Sequence, residues 1–369
     1  MILCANPAAQ FYSYQAEIEE AVLKVLRNNR YILGAEVISL EKEFANYIGV
    51  QSAIGVANGT DALEIAIRAL GLQPGDEVIT VSHTAVATVA AIESAGAVPV
   101  LVDVDPLFFT LNPNQLSEVT TPKTKAIIAV HIYGQSADLD AINDFCIKNK
   151  LYLIEDVSQA HGAKWHGKRL GSIGHVGCFS CYPTKNLGAI GDAGLIVTND
   201  SKIAKRARLL REYGWENRYV SEIPGRNSRL DEIQAAILRI KLRYLDQDNN
   251  KRQIIASQYN KLLAGLNINL PLVQKNAEAV FHLYVIKVKL RDALLDFLKE
   301  NDIHAGIHYP MPIHIQPAYK NRIRTSSDMK ITEMLAKEVI SLPIYPELEE
   351  KQVLKVVEII KEFLKIHES

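Results

Sequence analysis

From Ser52 to about Asn199, short apolar runs alternate with amphipathic stretches. The run SAIGVA (52–57) precedes the helical pattern DALEIAIRAL, and EVITV precedes AVATVAAIESA. PVLVDV, KAIIAVHIY and LYLIED follow, with helical LDAINDFCIKN between the last two. Short runs of β-branched residues bounded by Gly, Pro and Asp suit parallel strands buried on both faces, with the amphipathic stretches as crossover helices. The alternation predicts an α/β fold built on a mostly parallel sheet. Ligands of such sheets bind beyond the carboxyl ends of the strands, so the loops after strands are where chemistry belongs.

A further helical stretch, LDEIQAAILRIKLRYLDQ (230–247), closes this half, giving an expected large domain over residues 1–247. Beyond it lie the strand-like AVFHLYVIKVKL, helical DALLDFLKEN, the proline-containing HYPMPIHIQP and the amphipathic EEKQVLKVVEIIKEFLKI. These predict a smaller α+β domain over 248–369. A length of 369 residues accommodates the two. No internal repeat or low-complexity segment interrupts the pattern.

Charge narrows the partners. The 41 Lys and Arg nearly balance 42 Asp and Glu, a net −1. That leaves no electrostatic case for nucleic acid or an anionic membrane surface. No apolar run reaches the roughly 18 residues of a membrane span. The start of the chain does not read as a signal peptide, and four scattered cysteines make no disulfide framework, so a cytoplasmic location is expected. Cys178 and Cys181 form a C-x-x-C, but VGCFSCY reads as a buried strand, and no further zinc ligands stand at suitable spacing.

Three strand ends carry candidate chemistry. Asn58-Gly59-Thr60-Asp61 opens a helix after SAIGVA. Free backbone N–H groups, a hydroxyl and the positive end of the helix dipole make an anion cradle suited to phosphate, although a plain N-cap has the same residues. Asp156 ends LYLIED, where a carboxylate can keep a ring nitrogen protonated for an electron-sink cofactor. Asp156 and His161 as metal ligands are the competing reading, and no third ligand lies nearby in sequence. Lys185 follows an apolar strand in Ser180-Cys181-Tyr182-Pro183-Thr184-Lys185-Asn186, before the Gly-rich LGAIGDAG. Low polarity depresses an amine's pKa and makes it a nucleophile toward aldehydes.

Together, ANGTDAL, GDEVI, EDVSQAHGA, FSCYPTKNLGAIGD, GRNSRLDEIQAAIL, HLYVIKV and HYPMPIH resemble the DegT/DnrJ/EryC1/StrS sugar aminotransferases, a family of fold-type-I pyridoxal-phosphate enzymes. The resemblance runs over nearly the whole chain. It implies a large domain with a mostly parallel seven-stranded sheet flanked by helices, and pyridoxal 5'-phosphate carried on Lys185. Asp156 is implied at the pyridinium nitrogen and Gln159 beside the ring. Gly59, Thr60 and Ser180 are implied at the phosphate. Asn227, in Gly225-Arg226-Asn227-Ser228-Arg229, is implied to reach the partner subunit's cofactor phosphate in a homodimer with shared sites. Tyr182, His308 and His314 are implied toward a sugar nucleotide. Many relatives place an aromatic ring over the cofactor where this chain has Ala85; His83, two positions earlier, is the candidate for a stacking face.

The implied reaction moves an amino group from glutamate to a nucleotide-linked keto-6-deoxy sugar, with Lys185 as acid and base. It would serve amino-sugar biosynthesis for a surface polysaccharide or an antibiotic. HIYGQSADLDAI resembles relatives that aminate C-3 of a dTDP-3-keto-6-deoxyhexose; a C-4 aminotransferase acting on a dTDP- or UDP-4-keto sugar is the alternative. A dehydratase of the same fold would replace the lysine with histidine. A non-catalytic, cofactor-binding regulator is at odds with intact Lys185, Asp156 and Gln159.

Overall fold

The structure is a computed structural model and describes residues 1–367. Seven strands build the central sheet: β1 (Ser52–Val56), β2 (Glu77–Val81), β3 (Val98–Val102), β4 (Thr124–Val130), β5 (Tyr152–Asp156), β6 (Val176–Ser180) and β7 (Gly194–Thr198). Their order is β1-β7-β6-β5-β4-β2-β3, and all are parallel except β7, which runs against both its neighbours. Every residue of β2 and β7 is buried. Helices such as Ala35–Ile48, Gly59–Ala69, Ala87–Ser94 and Leu139–Asn149 connect and cover the strands.

The expected seven strands gain an eighth. Tyr284–Lys287 is β8, Arg324–Thr325 is β9 and Val339–Leu342 is β10. The two residues of β9 pair in parallel with Val100 and Leu101 of β3, and Ser326 N–H bonds the Leu101 carbonyl at 2.8 Å. This covers an edge strand whose backbone groups would otherwise face solvent. A two-residue strand has no periodicity to read, so it was invisible in sequence.

β8 and β10 pair antiparallel, and helices Arg291–Glu300 and Glu350–His367 pack beside them. Their side chains form a second core with Ile255, Tyr259 and Leu263, distinct from the larger core around the sheet. Ile2 belongs to this second core and bridges to Ile303.

The helix read as ending at 247 continues unbroken from Glu232 to Leu263. Its first half lays Ala235, Leu238, Leu242 and Leu245 on the large core; its second half serves the other. The residues after Leu245 are mostly polar, yet Asp248, Asn249 and Arg252 are buried. Arg252, for one, donates to the Ile344 carbonyl at 3.0 Å. Satisfied hydrogen bonds let polar residues occupy a buried helix face. No helix among the described residues is long and apolar enough to cross a membrane.

Candidate active site

Five parallel strands end at one cavity of about 490 Å³, lined among others by Gly59, Thr60, Asp156, Gln159, Ser180, Tyr182 and Lys185. Beyond β1 the chain turns through Asn58, whose side-chain oxygen caps the helix by accepting Asp61 N–H at 2.8 Å. Ser228 Oγ accepts Ala57 N–H at 3.1 Å and holds the same turn. The N–H groups of Gly59 and Thr60 remain without partners among the described residues. A Cβ on Gly59 would lie 2.5 Å from Ser180 Cβ and 3.1 Å from Ser180 Oγ. Only glycine lets the helix start approach β6 so closely. The result is a cup of two free N–H groups and one hydroxyl at a helix N-terminus, which fits a phosphate.

Asp156 closes β5 and is buried. Its Oδ2 accepts from Thr88 Oγ1 at 3.2 Å, and its Oδ1 from Ser158 N–H at 3.2 Å. Both donors are neutral, so the carboxylate keeps its charge available for a protonated ring nitrogen. The adjacent Glu155 points the other way, as strand alternation requires. It accepts N–H groups of Gly171, Ile173 and Gly174 and the His131 ring. One of two neighbouring carboxylates therefore holds a loop, and the other faces the cavity.

Lys185 lies beyond β6, and its ammonium has no hydrogen-bond or ion-pair partner among the described residues. Burial pushes its pKa down to about 8, opposed by the negative charge of Asp156. Near neutral pH it can therefore both give and take a proton. The amine, the carboxylate and the phosphate cup line one cavity, so these residues fit pyridoxal phosphate.

The remaining residues divide. Gln159 lines the cavity with both ends of its amide engaged: Oε1 accepts Tyr133 N–H at 2.7 Å, and Nε2 donates to Tyr309 OH at 2.9 Å. Tyr182 stands at the rim, 53% exposed. At the end of β2, Thr84, Ala85 and Thr88 line the cavity. His83 is buried instead, with Nε2 2.6 Å from Tyr133 OH, whose proton goes to the His308 carbonyl. That arrangement assigns the ring proton to Nε2, and burial holds His83 neutral by lowering its pKa to about 4.

His308 and His314 do not line the cavity. His308 Nδ1 lies 2.9 Å from Ser341 Oγ. His314 is tied to Ser82 Oγ at 2.8 Å and to Glu333 at 3.2 Å. Asn227 is exposed and lies outside the cavity of the single chain. Its neighbour Arg226 braces the segment against Asp61 and Glu64, on the helix that forms the cup. Sequence reasoning missed Tyr309, Tyr133 and Ser228. Tyr309 sat inside the quoted HYPMPIH; the strained left-handed Tyr133 (φ 61°) gave no signal in sequence.

A phosphate cup, a buried carboxylate and an uncommitted lysine at the strand ends of an α/β sheet define a pyridoxal-phosphate enzyme. The chain belongs to the DegT/DnrJ/EryC1/StrS aminotransferase family, whose model matches residues 13–361. It is 47% identical over 350 residues to the dTDP-3-amino-3,6-dideoxy-alpha-D-galactopyranose transaminase of Aneurinibacillus thermoaerophilus, covering 95% of this chain and 96% of that one. It is 42% identical over 356 residues to the dTDP-3-amino-3,4,6-trideoxy-alpha-D-glucose transaminase of Streptomyces venezuelae, covering 96% and 94%. The crystal structure of S. venezuelae DesV superposes with a TM-score of 0.96 at 41% identity, covering 99% of this chain and 98% of that one.

Proposed function

We propose that this aminotransferase passes an amino group from glutamate to C-3 of a dTDP-linked 3-keto-6-deoxyhexose, as a homodimer in the cytoplasm. The observation that carries the reading is the uncommitted Lys185 amine sharing one cavity with Asp156 and the Gly59–Thr60–Ser180 cup. The choice of C-3 and dTDP rests on HIYGQSADLDAI and on two relatives named for 3-amino dTDP sugars.

Pyridoxal phosphate, when bound, supplies an aldehyde that takes up amines and a ring that stores an electron pair. The protein does the rest. Asp156 would keep a proton on the ring nitrogen by its negative charge. The Gly59 and Thr60 N–H groups with Ser180 Oγ would hold the phosphate in the cavity that Lys185 also lines. Lys185 Nζ would take the proton from the α-carbon of glutamate and deliver it to the carbon that receives the amino group, one proton taken and one given. On the sugar half-reaction it runs the same transfers in reverse. Gln159, locked between Tyr133 and Tyr309, would stand beside the bound cofactor.

The test is product analysis. Enzyme loaded with glutamate is offered dTDP-3-keto, dTDP-4-keto and UDP-4-keto sugars, and products are read by mass spectrometry and NMR. A 3-amino dTDP sugar with stoichiometric 2-oxoglutarate is expected. Amination only at C-4 overturns the regiochemistry, and no amination of any nucleotide sugar overturns the substrate class.

A further inference from the structure

The long helix Glu232–Leu263 carries Gln234, Lys241 and Asn249, spaced by about two helical turns and hence on one face. Each side chain ends on the segment just after Lys185. Gln234 accepts Ile190 N–H at 2.9 Å and donates to the Ile190 carbonyl at 2.8 Å. Lys241 Nζ donates to the Gly188 carbonyl at 2.8 Å, and to Gln10 Oε1 at 2.9 Å. Asn249 Oδ1 accepts from the Asn186 amide at 2.8 Å, while its own amide donates to the His161 carbonyl at 2.8 Å. Alternate residues 186, 188 and 190 are thus held from a single helix face.

The held segment is coupled to the reactive amine. Gly188 folds back so tightly that a Cβ there would strike the Pro183 carbonyl and lie 3.1 Å from the Lys185 carbonyl oxygen. A shift of Gly188 therefore moves the backbone of Lys185. On the far side, Asn186 also donates to the Val280 carbonyl at 3.1 Å and meets His282 Nδ1 at 3.2 Å.

Lys241 is a costly choice for mere packing. It is buried, and burial lowers its pKa to about 8 against the pull of Glu347, Asp248 and Cys181. A methionine would fill similar space without desolvating an ammonium. What only the lysine supplies is a donor that reaches from the helix to the Gly188 carbonyl.

We propose that Gln234, Lys241 and Asn249 form a positioning clamp that holds the Lys185 segment in register with Asp156. The clamp rests on the reading of Lys185 as the lysine that carries the cofactor. It makes these three positioning residues for proton transfer, although none lines the cavity.

The two readings are tested separately. Borohydride reduction of the holoenzyme and peptide mass spectrometry identify the lysine that carries pyridoxal phosphate; a label elsewhere than Lys185 ends the first reading. With Lys185 established, Lys241→Met, Gln234→Leu and the double variant are compared with the parent. Misplacing a reacting group from a distance costs up to roughly a hundredfold, so kcat is expected to fall about tenfold or more in Lys241→Met while KM for either substrate holds. The pH midpoint of Lys185 labelling by an amine reagent in cofactor-free protein should also move. Asp156, Cys181, His161, His282 and His308, which face that amine, are unchanged in both variants. Lys241→Met also removes a charge beside Cys181, so the moved midpoint that reports the amine's position is that of Gln234→Leu, which removes no charge. Should Lys241→Met fail to fold, Gln234→Leu, at the more exposed end of the stripe, carries the same two readouts. A lowered melting temperature with unchanged kcat and unchanged labelling midpoint overturns the clamp and leaves the stripe a packing feature.

Discussion

At Lys185 two opposing effects decide the chemistry. Burial disfavours its ammonium, and the Asp156 carboxylate favours it; burial wins, and the pKa falls to about 8. In cofactor-free protein, the rate at which an amine reagent labels Lys185 should rise with pH to a midpoint near that value. A lysine free in water titrates at about 10.4. Asp156→Asn removes the charge that favours the ammonium, so the midpoint should move lower still. A midpoint for Lys185 near that ordinary value, or a rise in Asp156→Asn, would refute this balance. The same variant should retain cofactor yet lose most turnover, because an amide cannot stabilise a pyridinium proton as a carboxylate does. Lys185→Ala should lower turnover by at least roughly a hundredfold, the low end of what a general acid–base group contributes. His83 shows the limit of reading single residues. A histidine near the cofactor motif invited a stacking role, but its ring is buried and committed to Tyr133. Which strand-end side chain turns into the cavity depended on local backbone that no spacing rule specifies.

At the scale of elements, the start of helix Gly59–Ala69 is the most demanding joint in the site. Neither Ser180 Cβ nor its Cα, 2.5 and 3.0 Å from a Cβ on Gly59, is the yielding end of a flexible side chain. Gly59→Ala must therefore push the helix start away from β6 and open the cup. Cofactor affinity, measured by fluorescence titration, is expected to weaken by about tenfold or more, equivalent to about 1.4 kcal/mol. Thermal stability should change much less, because the displaced end borders a cavity rather than the core. Unchanged affinity in a folded Gly59→Ala protein would remove these N–H groups from the phosphate site. The cup itself was legible in sequence, since a Gly-Thr turn after an apolar run already marks a helix opening beyond a strand. The length of the central helix was not. Asp246, Asp248, Asn249 and Asn250 look like the end of a helix until buried partners for Asp248 and Asn249 are known.

At the scale of the whole molecule, the cup is judged against a second copy of the chain. Asn227 is exposed in the single chain, and Arg226 holds its segment against the helix that forms the cup. If Asn227 donates to the phosphate of a partner subunit, one chain supplies an incomplete site. Losing one hydrogen bond to a charged group costs about 1.5–3 kcal/mol, so a monomer should hold cofactor weakly. Homodimers of Lys185→Ala and of Asn227→Asp should each be nearly inactive. After verified subunit exchange, the heterodimer should gather both lesions in one site and leave the other intact, restoring activity. No recovery would place Asn227 in its own subunit's site or outside both. The parallel α/β class, the order of strand-end motifs and the candidates Gly59, Asp156 and Lys185 were legible in the sequence alone, while Gln159 and Ser180 entered only through the family resemblance. The class, the motif order and those three candidates depend on short-range rules: two-sided burial of apolar runs, helix openings and the chemistry of a residue type. Tertiary structure alone decided that Arg324–Thr325 completes the sheet, that Tyr309 locks Gln159, and that one helix face grips the Lys185 segment. Those contacts join residues far apart in the chain, and their partners are chosen by packing geometry, which leaves no period or motif in the sequence.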